Sequence, residues 1–161
     1  HVAQVKSGRY SVTRPLQLGA LAANASPEVV DALAACGDHL GRAFALRDDF
    51  LGVWGDPAVT GKPAGDDLIE AKATMLVALA RERLGEDGQM LLARLGTPGF
   101  LRRDVLALSE AMRTAGVDRE VERLIEESVA AGLAELVTPP LDDAGVQGIH
   151  EASRSIAWRT A

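Results

Sequence analysis

The chain has 161 residues, 47% of them hydrophobic and 25% charged, which is enough apolar material for one domain with a buried core and excludes a disordered tail. Only six residues are aromatic, so small aliphatic side chains must fill that core; Ala and Leu dominate, β-branched residues are thin, and an all-α fold follows. A net charge of −6 offers no basic field for a nucleic-acid backbone, and no apolar run reaches the roughly 18 residues of a membrane span.

The first patterned segment, residues 2–23, carries Val2, Val5, Tyr10, Val12, Leu16, Leu18 and Leu21 at spacings that suit a helix, with a bend expected at Pro15. Ser26-Pro27-Glu28 then supplies an N-cap, a proline for the first helical position and a carboxylate for the positive helix end. A long helix is predicted from there to about Gly55. Residues 55–65 hold Pro57, Gly61 and Pro63 and read as a loop. The next helix is expected to start at Asp66 or Asp67 and to run to about Gly85, carrying Lys72. Further helices are predicted at about 86–95, 99–115, 117–137 and 142–159, with Asp142-Asp143 as a helix start. The chain opens on His1 directly into patterned sequence, which reads as an interior start. The single cysteine, Cys36, fits a reducing compartment, and the expected location is the cytoplasm.

Chemistry concentrates in three places. Asp48-Asp49 lies late in the long helix, with Phe44 one turn before Asp48 and Gly52 one turn after it, and paired carboxylates suit a hard cation such as Mg²⁺. Gly55 to Pro63 joins flexible glycines to Lys62, the combination a phosphate group needs. It is not a Walker A loop, since five residues separate Gly55 from Gly61 and Pro63 follows the lysine. The chain's other two lysines, Lys6 and Lys72, stand beside the same kind of segment while arginine is used everywhere else. Compact ammonium charges are therefore expected to serve specific positions. His39 stands one turn from Cys36, but two ligands make no metal site.

Lys6-Ser7-Gly8-Arg9-Tyr10, the run from Gly41 to Gly52 containing Phe44 and Arg47-Asp48-Asp49-Phe50-Leu51, and the run from Gly55 to Asp67 followed by Glu70-Ala71-Lys72 resemble, in order and spacing, the trans-isoprenyl diphosphate synthases, or polyprenyl synthetases. The resemblance covers residues 1–161 and corresponds to the C-terminal half of that family's single domain. It implies an all-α helical bundle of the isoprenoid synthase (class I terpenoid synthase) type, C-terminal portion only. It also implies a prenyltransferase that condenses an allylic diphosphate with isopentenyl diphosphate, with Mg²⁺ as cofactor, and a homodimer.

By the same resemblance Asp48 is the Mg²⁺ ligand with Asp49 supporting it, and Lys6, Lys62 and Lys72 contact the diphosphate. Ser7 stands close to substrate, Tyr10 and Phe44 line the cavity, and Asp66 orders the loop or water around the metals. Two positions depart from the pattern. Gly52 replaces a third aspartate and so removes a carboxylate from the Asp48 face, and Ala45 replaces a glutamine. The family's first aspartate-rich motif has no counterpart here. The 161 residues alone are therefore expected to be inactive, working with an N-terminal half that is unmatched in this sequence. A terpene cyclase of the same fold and a non-catalytic regulatory subunit are the alternative readings.

Overall fold

A computed structural model describes residues 8–159, and among them every regular element is helical. The backbone forms two compact units, one of residues up to Arg47 together with Leu124–Arg159, the other of Asp48–Arg123.

The first unit opens with a π-helical segment, Arg9–Thr13, that runs into α1, Arg14–Ala22. Pro15 falls at the start of α1, where the missing N–H costs nothing, so the expected bend becomes a change of helix type. Asp38 ties this segment down, accepting from Thr13 Oγ1 at 2.8 Å and from Arg9 Nη2 at 3.2 Å. Helix α2, Pro27–Trp54, begins where the sequence predicts, with Ser26 Oγ accepting from Val29 N. Its portion in this unit buries Leu33, Cys36, Leu40, Ala43 and Leu46 at three- and four-residue steps, and Ala45 is buried with them. Gly37 and Gly41 allow the first segment to lie against the α2 backbone. A Cβ on Gly37 would stand 2.7 Å from Thr13 Cα, and one on Gly41 would stand 2.9 Å from Gly8 Cα.

The second unit holds the end of α2 and then α3, Pro57–Thr60; α4, Asp66–Ile69; α5, Met75–Arg83; α6, Glu86–Leu92; α7, Arg102–Thr114; and the start of α8, Val117–Ala134. Its fully buried side chains include Leu68, Leu76, Val105, Leu108, Met112, Val117 and Val121. Arg94 grips both oxygens of Asp104 at 3.0 and 3.1 Å, and Asp104 accepts the Leu101 N–H at 2.8 Å at the start of α7. Helix α9, Asp143–Ala157, belongs to the first unit and is capped by Asp142, whose Oδ1 accepts from Gly145 N at 2.5 Å, as predicted for the Asp142-Asp143 pair.

Two elements differ from expectation. The Gly55–Gly65 loop contains the single turn α3, because Asp56 caps Ala58 N at 2.9 Å, Pro57 takes the first helical position, and Gly61 ends the turn at φ 69°. The helix predicted from Asp66 to Gly85 breaks after Ile69. Ala71 adopts φ 49°, Lys72 N donates to Asp67 O at 3.0 Å, and Thr74 Oγ1 starts a new helix by accepting from Val77 N at 3.3 Å. Lys72 therefore lies in a turn between α4 and α5 and not on a helix. Among the described residues no helix is long and apolar enough to cross a membrane.

Candidate active site

In the second unit, the segment from α4 to Thr74 brings the Asp67–Lys72 pair to the end of α2, within electrostatic reach of Asp49, the neighbour of Asp48. Asp48 is exposed and Asp49 half-buried. The loop docks on the helix backbone at Gly52, whose carbonyl accepts the Gly65 N–H at 3.0 Å. Gly65 itself sits at φ 80° with the Val105 side chain where its Cβ would be, so only glycine lets the chain pass. This docking carries Asp67 to α2. Asp67 ion-pairs with the Lys72 ammonium, which Glu70 Oε2 also approaches at 3.2 Å. Asp66, the acidic position that the resemblance implies for ordering the loop, faces Arg102 at 3.8 Å, while Asp67 lies against α2.

The carboxylates feel one another. Burial raises the Asp49 carboxyl from its ordinary 3.8 to about 6, and the negative charges of Asp67 and Asp48 add to the rise, while Lys72 and the Met75 N–H oppose it. Lys72 is held above the ordinary lysine value, chiefly by its hydrogen bond from Nζ to Asp67. Crowded carboxylates of this kind are what a divalent cation relieves, and two of them suffice for Mg²⁺, which retains water ligands. No group of three or more His, Cys, Asp or Glu side chains among the described residues is arranged to hold a metal by itself.

The sign of the Asp49 shift gives a test. A carboxyl whose folded value lies above its unfolded one takes up a proton on folding between about pH 4 and 6, so its contribution to stability falls as pH rises through that window. Asp49→Asn is expected to stabilise the chain at pH 7 by on the order of 1–2 kcal/mol, allowing for screening at a part-exposed site, and to gain nothing at pH 4. Urea denaturation of both proteins at pH 4, 5 and 7 measures this; equal differences at all three would refute it.

Of the remaining predicted residues, Lys6 and Ser7 lie outside the described residues. Lys62 is exposed on the loop after α3, with no partner for its ammonium among the described residues. Tyr10 is 82% exposed, so no described wall closes around it. Phe44, in the first unit, lies under the Arg159 guanidinium, 4.2 Å from its ring centroid. Cys36 is buried, its thiol pushed up to about 11 mainly by burial, and His39 faces Glu135 at 3.9 Å.

Comparison with known proteins decides the family. The family model described as polyprenyl synthetase matches residues 1–111. The chain belongs to the polyprenyl synthetase family. It is 39% identical over 120 residues to a geranylgeranyl diphosphate synthase of Mycobacterium tuberculosis, covering 74% of this chain and 34% of that one. A geranylgeranyl pyrophosphate synthase from Corynebacterium glutamicum, crystallised with isoprenyl diphosphate and magnesium, superposes with a TM-score of 0.90 at 37% identity, over 98% of this chain and 45% of that one. A polyprenyl synthase from Caulobacter crescentus, crystallised with calcium and isoprenyl diphosphate, gives 0.86 at 27% identity, over 97% and 48%. The all-α fold inferred from the motifs is thus the polyprenyl synthase fold, and the chain spans less than half the length of each of these relatives.

Proposed function

We propose that this polyprenyl synthetase chain carries the diphosphate-ionising side of a trans-prenyltransferase that condenses an allylic diphosphate with isopentenyl diphosphate. The observation that supports it most is the Asp67–Lys72 pair set at the end of α2 within electrostatic reach of Asp49, next to Asp48. Asp48, with Asp49 behind it, would hold Mg²⁺, which when bound neutralises charge on the departing pyrophosphate. Lys72 and Lys62, with Lys6, present ammonium groups to diphosphate oxygens, and an ammonium that is already charged needs no proton rearrangement as negative charge grows on the leaving group. Asp49, half-protonated near pH 6, is relieved of its proton as positive charge arrives beside it.

Residues 1–161 are proposed to be the C-terminal half of the domain and inactive alone, because the relatives are more than twice as long. The complete protein is proposed to be a homodimer working in the cytoplasm, in keeping with the buried free thiol of Cys36.

The test is turnover of a complete synthase containing this chain, given an allylic diphosphate, labelled isopentenyl diphosphate and Mg²⁺. Label is expected in a longer prenyl diphosphate. A cyclic hydrocarbon without label would establish a terpene cyclase, and no turnover unless a second synthase is added would establish a regulatory subunit; either outcome ends the elongation reading.

A further inference from the structure

Residue 52 reads in the sequence as a lost carboxylate, yet the space it leaves is full. A Cβ built on Gly52 would run into Oδ2 and Cγ of Asp67, with Oδ1 3.1 Å away. The side chain that begins where residue 52 has none is therefore that of Asp67, delivered by the loop that hangs from the Gly52 carbonyl. Asp67 is only 13% exposed at its side chain, whereas Lys72, which it grips, is 45% exposed. The buried partner is the fixed one, and the exposed ammonium takes its place from it.

We infer that Gly52 is the seat of the Asp67 carboxylate, and that Asp67, held there, is the positioning residue that sets where the Lys72 ammonium stands. The functional half of this inference rests on the reading of Lys72 as a diphosphate contact; the seat itself does not. Gly52 is then an exchange: a carboxylate on the helix is given up so that one from the loop can lie against it, and that one brings its lysine. Because the colliding group is the far end of a side chain and not backbone, Gly52→Ala is expected to fold and to expel Asp67. Gly148 on α9 has nothing within 4 Å of where its Cβ would be, so Gly148→Ala controls for putting alanine into a helix.

The seat is read without any ligand. The chain has three lysines, so competitive acetylation followed by peptide mass spectrometry resolves each amine, with exposed Lys62 as internal reference. In a complete synthase containing this chain unaltered, Lys72 is expected to react about two- to fivefold more slowly than Lys62, the protection a part-exposed ion pair gives. Gly52→Ala and Asp67→Asn are each expected to abolish that protection, and Gly148→Ala to preserve it. Protection that persists in either variant overturns the inference. Should Gly52→Ala lower the melting temperature, the same substitution in an Asp67→Ala background must not, and an equal loss in both backgrounds also overturns it.

Titration calorimetry with inorganic pyrophosphate and Mg²⁺ reads the functional half. Lys72→Ala is expected to weaken binding, and Gly52→Ala and Asp67→Asn to weaken it by about two- to fivefold. If Lys72→Ala weakens binding while both others leave it unchanged, the positioning role is overturned. If the labelling behaves as expected but Lys72→Ala leaves pyrophosphate binding untouched, the diphosphate reading fails and the seat stands.

Discussion

Asp48→Ala in a complete synthase is expected to lower turnover by about a thousandfold or more, with the allylic diphosphate still bound at raised concentration. The size follows from where the charge is needed. Ionisation of an allylic diphosphate builds negative charge on the leaving group, and Asp48, the exposed member of the acidic pair at the end of α2, is the residue proposed to hold a cation that keeps its water. Asp49 is half-buried and loses its proton only near pH 6, so it cannot take over at lower pH. A fall in pH from 7 to 5 should therefore narrow the gap between the parent and an Asp49→Asn enzyme, because Asp49 is then protonated in the parent, while the gap between the parent and Asp48→Ala should not narrow.

The control is Asp142→Ala. That aspartate belongs to an adjacent acidic pair too, but it caps α9 through Gly145 N, so its loss should cost about 1 kcal/mol of stability and leave turnover within about twofold. Steady-state kinetics on the two variants separates the roles, and equal losses of turnover would overturn the proposed metal role of Asp48.

What could be read in the sequence and what could not divides along a physical line. Ser26-Pro27 and Asp142 announce helix starts because a cap is a local bargain between one side chain and one turn, and both helices begin there. The break before α5 had its own local signal, Thr74 ahead of an apolar run. The three- and four-residue spacing of Ile69, Ala73, Leu76 and Val77 nevertheless reads as one continuous helix, because spacing cannot register that Ala71 turns left-handed.

The site shows the same division. Paired carboxylates and rare lysines mark the region, but the choice between Asp66 and Asp67 depends on the rotation of α4. That rotation is set by the hydrogen bond from Gly65 to Gly52, thirteen residues back in the chain. Two neighbouring aspartates point about 100° apart on a helix, and only tertiary docking says which one meets α2. Gly52 is the sharpest case, because a missing side chain in a motif is visible in sequence and the group that fills its space is not.

The largest stability effect is expected one residue before the acidic pair. Arg47 is 5% exposed, and its Nε donates to the Ala157 carbonyl at 2.5 Å, tying α2 to the end of α9 within the first unit. Ala157 is itself fully buried, so its carbonyl has no water to turn to if the guanidinium leaves. Arg47→Ala should cost about 3 kcal/mol, combining an unsatisfied buried carbonyl with the cavity left by a long side chain.

Arg47→Lys should recover less than half of that loss, since an ammonium at the end of a straight stem cannot reproduce a donor fixed partway along the side chain. Arg42→Ala, exposed on the same helix, should stay within about 0.5 kcal/mol. Urea midpoints for the three variants decide the matter. The consequence reaches Phe44, because the residues after Ala157 carry Arg159, whose guanidinium covers the Phe44 ring at 4.2 Å. With the tie at Ala157 cut, Phe44 should lose that cover, and its ring should show faster flipping and altered shifts by NMR in Arg47→Ala but not in Arg42→Ala. A stable Arg47→Ala protein with an unchanged Phe44 spectrum would mean that the end of α9 is held by its packing alone.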